Sequence, residues 1–291
     1  MGQPRFLIIM FNYYLDLIGL KTLLQTPMEI TVSDRLSPFL CQPFNKADCV
    51  ISLIKTEKLP TVSDKAIKHS LCLYDTGGEN DMIFHIDSEF DSPFAVTEFC
   101  VDGNIRISVL KEYMHYFSGS GGIFNRIGME NLLLKNNGLL VHSSVIEYGG
   151  KGILFMGASG VGKSTQARLW QKTLGAQIIN GDRAALRKTA DGWTVFGSPF
   201  AGTSGIYKNK KAPVLAAVLL RQSKINKLTR LSQMEALRLV YPEISIHRWD
   251  KRFVNNATEL FLDFAKKVPF YLLECEPTEQ AVILLKEGLD L

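Results

Sequence analysis

The chain has no C-x-x-C pair, and its five cysteines, Cys41, Cys49, Cys72, Cys100 and Cys275, are scattered. An odd count without close spacing argues against a disulfide framework and a thiolate zinc site. It fits a reducing cytoplasm, with the thiols serving as small core groups. Strong charge of one sign is also missing. A net charge of +4 over 291 residues is too weak to argue for nucleic acid as a partner. No long hydrophobic run occurs. Phe6 to Met10 is apolar, but Asn12 and Asp16 interrupt the stretch, and no A-x-A cleavage signal is present. Neither a secretory leader nor a membrane partner is expected. Residues 1–9 read as an upstream extension of a start at Met10. Internal repeats and low-complexity linkers are absent too. What remains, 46% hydrophobic and 21% charged residues, is an ordinary globular composition, long enough for two domains.

Against this plain background one segment stands out. Residues 157–164 read Gly157-Ala158-Ser159-Gly160-Val161-Gly162-Lys163-Ser164, a complete G-x-x-x-x-G-K-[ST] loop, followed by Thr165. The chemistry asks for these residue types. Glycines let the backbone curl so that successive N–H groups point at phosphate oxygens. Lys163 can reach the β- and γ-phosphates of a nucleotide, and the Ser164 hydroxyl can hold Mg²⁺. A helix starting at the lysine adds the positive end of its dipole. The context agrees. Gly152 to Met156 is a short apolar run that reads as a buried strand. Lys163 to Leu174 has no Pro or Gly, places Ala167, Trp170 and Leu174 at helical spacing, and ends at Gly175, a helix stop.

The first 130 or so residues look β-rich. Tyr13 to Leu24 reads as a first strand region and Val50 to Ile54 as another. Ser70 to Tyr74 and Met82 to Ile86 flank a turn cluster, and Ala95 to Val101 and Ile105 to Leu110 flank Asp102-Gly103-Asn104, so each pair predicts a hairpin. Ser118 to Gly122 predicts a flexible break and a domain hinge. Ile123 to Leu134 predicts a helix, closed by Asn136-Asn137-Gly138. The texture then changes. Strands are predicted over Leu139 to Ile146, Ala176 to Ile179, Ala184 to Arg187 with Trp193 to Phe196, Pro213 to Leu220 and Tyr271 to Glu274. Helices are predicted over Ser232 to Val240, Asn255 to Lys267 and Thr278 to Leu289. The expected division is a β-rich N-terminal domain, 1–134, and a catalytic domain, 135–291.

Phosphoryl transfer needs a phosphate cradle, a metal, a positioned nucleophile and positive charge where the transition state spreads negative charge. After the loop a carboxylate should follow at the end of a nearby strand, to bind Mg²⁺ or take the nucleophile's proton. Asp182 is the candidate: one helix and one strand separate it from Ser164, so the chain can return to the same sheet edge. The same residue could instead cap a turn after Gly181. Arg183 suits pairing with Asp182, with phosphate, or with solvent. His142, on the strand before the loop's strand, is the other candidate, at a kind of position where histidines are often structural. The run Lys208-Asn209-Lys210-Lys211 reads either as a solvated loop or as a contact for phosphate or an acidic substrate.

These elements, His142 on a strand, the loop Gly157 to Ser164, and an Asp-Arg pair after the next strand, resemble in order and spacing the catalytic domain of bacterial HPr serine kinase/phosphorylase, related to phosphoenolpyruvate carboxykinase. The likeness covers roughly residues 138–291. It is similar again to the HPr kinase-related proteins of bacterial peptide-modification clusters, with a β-rich N-terminal region and a stretch like Gly197-Ser198-Pro199-Phe200-Ala201-Gly202. The resemblance implies an α/β fold with a mixed, curved sheet, preceded by a smaller α+β domain. It also implies ATP on the loop, Mg²⁺ near Ser164 and Asp182, catalytic roles for Asp182, His142 and Lys163, and oligomers in some members. Two positions depart from the pattern. The family has two successive aspartates before the arginine, and the first is here Gly181. Gly202-Thr203 stands where related peptide kinases have Gly-Lys, which leaves Lys208 or Lys210 to substitute.

The expectation is therefore a cytoplasmic, ATP-dependent kinase acting on a hydroxyl, that of Ser or Thr in a peptide or small protein. Two alternatives stay open: a nucleotide-binding regulatory protein with little catalysis, motivated by Gly181, and a small-metabolite kinase, which no motif separates from the first.

Overall fold

The computed structural model describes residues 10–33 and 35–291; the stretch 1–9, read as an upstream extension, lies outside them. The described residues form two compact units that divide after Asn131. Each is built on a mixed eight-stranded sheet. No helix in the described residues is long and apolar enough to cross a membrane. Among the described residues the cysteines form no disulfide.

In the first unit the strands are β1 (Phe11–Leu17), β2 (Leu20–Thr26), β3 (Cys49–Thr56), β4 (Ile67–His69), β5 (Cys72–Asp75), β6 (Asp81–Ile86), β7 (Pro93–Phe99) and β8 (Ile105–Leu110). Their order across the sheet is β1-β2-β3-β8-β7-β6-β5-β4. The two hairpins expected from the turn clusters are present as β5/β6 and β7/β8. The strand region expected over Tyr13 to Leu24 is the hairpin β1/β2, closed by Ile18 and Gly19, both with positive φ. A two-residue turn of this kind matches the right-handed twist of its strands. For a β-branched residue such as Ile18 this conformation is strained, a cost set against the full burial of its side chain.

The glycine-rich stretch at 118–122 does not form a flexible break. Ser120–Phe124 is a short helix, α1, and a Cβ on Gly122 would lie 2.0 Å from the Tyr116 carbonyl oxygen. That glycine permits close packing rather than motion. The single helix expected over Ile123 to Leu134 is likewise divided: α1 ends at Phe124 and α2 runs Met129–Lys135, with Gly128 at φ +59° between them. Proximity of the Phe99 ring, 2.4 Å from where a Cβ would sit, requires glycine there.

The second unit contains β9 (Gly138–Tyr148), β10 (Lys151–Met156), α3 (Lys163–Leu174), β11 (Gln177–Asn180), β12 (Arg183–Thr189), β13 (Gly192–Phe196), β14 (Lys211–Gln222), β15 (Lys227–Leu231), α4 (Gln233–Val240), α5 (Lys251–Lys267), β16 (Phe270–Cys275) and α6 (Glu279–Gly288). β14 runs parallel to β10 and to β16, while β9, β12 and β13 pair antiparallel, so the circuit β10-β9-β12-β13-β14 closes on itself. The sheet is thus strongly curved and buried on both faces. Alternation along β10 shows how: Ile153 and Phe155 pack with α3 and α6, around Ala167, Trp170, Val282 and Leu285. Leu154 and Met156 face the other way, toward Phe253, Phe261 and Phe264 of α5. A strand buried on both faces reads as a continuous apolar run, which is why the sequence marks it clearly. α5 begins four residues earlier than expected because Asp250 caps it, accepting from the Arg252 and Phe253 amides.

Candidate phosphate-binding site

The loop lies between the end of β10 and the start of α3. Gly157, Gly160 and Gly162 all take positive φ, at 126°, 79° and 111°. Side chains other than glycine rarely adopt these values, so the glycines of the motif are where the backbone needs them. Gly162 caps α3, and Lys163 is its first residue. Lys163 is almost fully buried, and its Nζ donates to the carbonyls of Gly157, at 2.7 Å, and Ala158, at 3.2 Å. It spans the loop it belongs to. Burial lowers the Lys163 pKa, and the charges of Glu243 and Asp182 pull against that. Both carboxylates therefore act on the ammonium. Ala158, Ser159, Gly160 and Thr165 are exposed at the rim.

Across from the loop, β11 ends at Asn180 and β12 starts at Arg183, leaving Gly181 and Asp182 in the bend between them. Ser164 Oγ donates to the Gly181 carbonyl at 3.4 Å. The loop serine and Asp182 are thus brought to one place across one helix and one strand. Asn180 fixes the bend. Its fully buried amide donates to the carbonyls of Ser198 and Phe200, both at 3.1 Å, while its Oδ1 accepts from the Asp182 amide at 2.9 Å. Ser198 Oγ donates to the Arg183 carbonyl. One side chain thus ties the Gly197–Gly202 stretch to Asp182, a role nothing in the sequence marks.

His142 lies on β9, paired in register with Arg183. Its Nε2 is 3.5 Å from Asp182 Oδ1, and its Nδ1 is 3.3 Å from Glu243 Oε2. Arg183 Nε is 3.8 Å from Asp182 Oδ2. The two candidates His142 and Asp182 are therefore side by side, and a third group, Glu243, joins them. Lys210, offered as a substitute phosphate contact, is exposed and its Nζ donates to Gln177.

Gly181 and Gly202 are glycines because the site is crowded. A Cβ on Gly181 would fall 2.0 Å from Ser204 Oγ, and one on Gly202 would fall 2.6 Å from Asp182 Cγ. No second aspartate fits at position 181 while Ser204 holds its place.

Among the described residues no group of three or more His, Cys, Asp or Glu is gathered to hold a metal ion. The donors present are the hard oxygens of Ser164 and Asp182. They fit Mg²⁺, which takes one or two protein oxygens and completes its shell with water and phosphate. Beside the loop lies a cleft of about 570 Å³, lined by Gly160, Val161, Thr165, Arg221, Lys224 and Cys275 among others. None of His142, Asp182 and Glu243 lines it.

No family model matches the sequence, and no curated protein matches it. Among solved structures, the HPr(Ser) kinase/phosphatase from Coxiella burnetii is similar over 52% of this chain and 93% of that one, at 12% identity and a TM-score of 0.28. The chemistry of this chain is read from the loop and the residues around it.

Proposed function

We propose that this chain is an ATP-dependent phosphotransferase that moves a γ-phosphoryl group to a hydroxyl, that of Ser or Thr in a peptide or small protein. The observation that carries this reading is the convergence of three groups. A glycine-shaped loop presents Lys163, the loop's Ser164 hydroxyl reaches the Gly181 carbonyl across from it, and Asp182 stands beside His142. The backbone amides of 157–165 cradle the phosphates, and Lys163 leaves the loop carbonyls for the β- and γ-phosphates. The nucleoside lies in the cleft past Thr165. Ser164 and Asp182 hold Mg²⁺, which when bound neutralises phosphate charge. Asp182 accepts the hydroxyl proton as the acceptor oxygen forms its bond to phosphorus and the bond to the β-phosphate oxygen breaks. His142 holds the Asp182 carboxylate in place. Gly181 leaves Asp182 to do this work unaided by a neighbour.

One observation favours a second reading. Ser204 fills the space a carboxylate at 181 would need. A protein that binds nucleotide for regulation and transfers little is consistent with that. Asp182→Asn separates the two. In a phosphotransferase the variant keeps its fold and loses transfer; unchanged turnover would remove Asp182 from the chemistry. A wild-type protein that binds ATP·Mg²⁺ and labels no peptide, protein or small hydroxyl compound would favour the regulatory reading. Label confined to small molecules would make it a metabolite kinase.

A further inference from the structure

We propose that Glu243 is the second carboxylate of this site, a positioning residue that holds the His142 ring against Asp182. The inference rests on the phosphotransferase reading for its catalytic consequence but not for its geometry. Backbone pairing places the residue. Val141 of β9 forms an antiparallel bridge with Ile244, and the Ser245 amide donates to the Leu140 carbonyl at 2.9 Å. In an antiparallel pair the next residue on one strand faces the preceding residue on the other, so His142 faces Glu243. On its opposite side β9 meets β12, with Arg183 in register with His142 and the Ser143 amide donating to the Asp182 carbonyl at 2.8 Å. The imidazole is therefore held between two chain segments, each presenting one carboxylate to one ring nitrogen, at 3.3 and 3.5 Å.

The segment that carries Glu243 is itself anchored. Tyr241–Glu243 is a single 3-10 turn with Pro242 near its start. Tyr241 Oη meets Thr258 Oγ1 of α5, its ring packs edge-on to Phe261, and Ile244 is buried. The Glu243 side chain is 15% exposed, against 33% for His142, so it lies behind the ring rather than at the open face. From there it can accept from Nδ1–H and fix the ring's orientation, so that Nε2–H is aimed at Asp182, as carboxylate partners orient histidines that serve a reacting group. Its charge also acts on Lys163, together with that of Asp182.

The test uses the full chain with Glu243→Ala and Glu243→Gln, both checked for folding by tryptophan fluorescence. Glutamine keeps an acceptor for Nδ1–H; alanine does not. The first readout needs no turnover: ¹⁵N–¹H spectra of histidine-labelled protein, with His142→Asn to assign the signal. Wild type and Glu243→Gln are expected to show His142 protonated at Nδ1, and Glu243→Ala to lose that signature. The second is phosphoryl transfer: Glu243→Ala is expected to lower kcat by about 10–100-fold with the KM for ATP within about twofold, and Glu243→Gln to recover most of it. An Nδ1 signature unchanged in Glu243→Ala, or an unchanged kcat in an active enzyme, would overturn the inference. So would an equal loss in both variants. If wild type transfers nothing while the signature follows Glu243 as stated, the positioning stands and the phosphotransferase reading falls.

Discussion

The contact between Gly181 and Ser204 makes a quantitative prediction. Gly181 has an ordinary negative-φ backbone, so nothing but space forbids a side chain there. A Cβ would lie 2.0 Å from Ser204 Oγ and 2.5 Å from Ser204 Cβ, and next 3.7 Å from Ile206 Cβ. Gly181→Ala must therefore push the 202–204 turn back by more than an ångström. Overpacking of this kind costs about 1–3 kcal/mol, and we take about 2. In a Ser204→Gly background both close atoms are gone and only an ordinary contact remains. There Gly181→Ala should cost about zero, so the two substitutions should couple by about 2 kcal/mol. The assay is urea unfolding followed by tryptophan fluorescence. All three tryptophans, Trp170, Trp193 and Trp249, lie in the second unit, so the signal reports on 132–291 alone. Additive effects, or a Gly181→Ala cost below about 0.5 kcal/mol, would refute the claim that Ser204 is what keeps a carboxylate out of position 181.

Two further predictions concern titrating groups. His85 Nε2 meets Thr97 Oγ1, whose own proton goes to the Arg126 carbonyl, so Nε2 carries the hydrogen and Nδ1 accepts from Cys72. Burial first, then the Arg126 charge, push its pKa down to about 3. The unfolded chain protonates this histidine first, near pH 6.5. Its contribution is full above that pH and is lost as pH falls toward 3, at about 1.4 kcal/mol per pH unit. Amide-exchange protection of β6 and β7, corrected for intrinsic rates, should fall over that range; a flat profile contradicts the neutral assignment. In the cleft beside the loop, burial raises the Cys275 pKa above its ordinary 9.0. Its alkylation, read by mass spectrometry, should keep accelerating beyond pH 9 and should slow when ATP·Mg²⁺ is added. Equal rates with and without nucleotide would take the nucleoside out of that cleft.

Much of the second unit is legible in the sequence, and the reasons are local. The loop is fixed by three positive-φ glycines, and α3 starts and stops at residues whose chemistry says so, Lys163 after Gly162 and Leu174 before Gly175. β10 from Gly152 to Met156 and β14 from Ala216 to Leu220 are apolar because both faces are covered. What escapes is set by partners far along the chain. Glu243 sits in a short polar turn and gains its place only through the bridge from Ile244 to Val141. Asn180 looks like turn punctuation until its amide is seen to be buried under the 198–200 carbonyls. β15, Lys227–Leu231, is missing from the strands expected because it is short and mostly polar, paired among the described residues only to β16. Its lysine and arginine suit an edge, where strands are blunted by charge. In the first unit, Gly122 suggests flexibility by composition and Gly128 falls inside the expected helix, whereas both are sites of close approach.

The most direct test of the central claim is γ-labelled ATP with Mg²⁺, offered to wild-type protein, Lys163→Ala and Asp182→Asn in the presence of a lysate as acceptor. Label on a peptide or protein with wild type, absent with both variants, is the predicted result. Transfer that survives in Lys163→Ala would show that the loop does not carry the phosphate and would contradict the account.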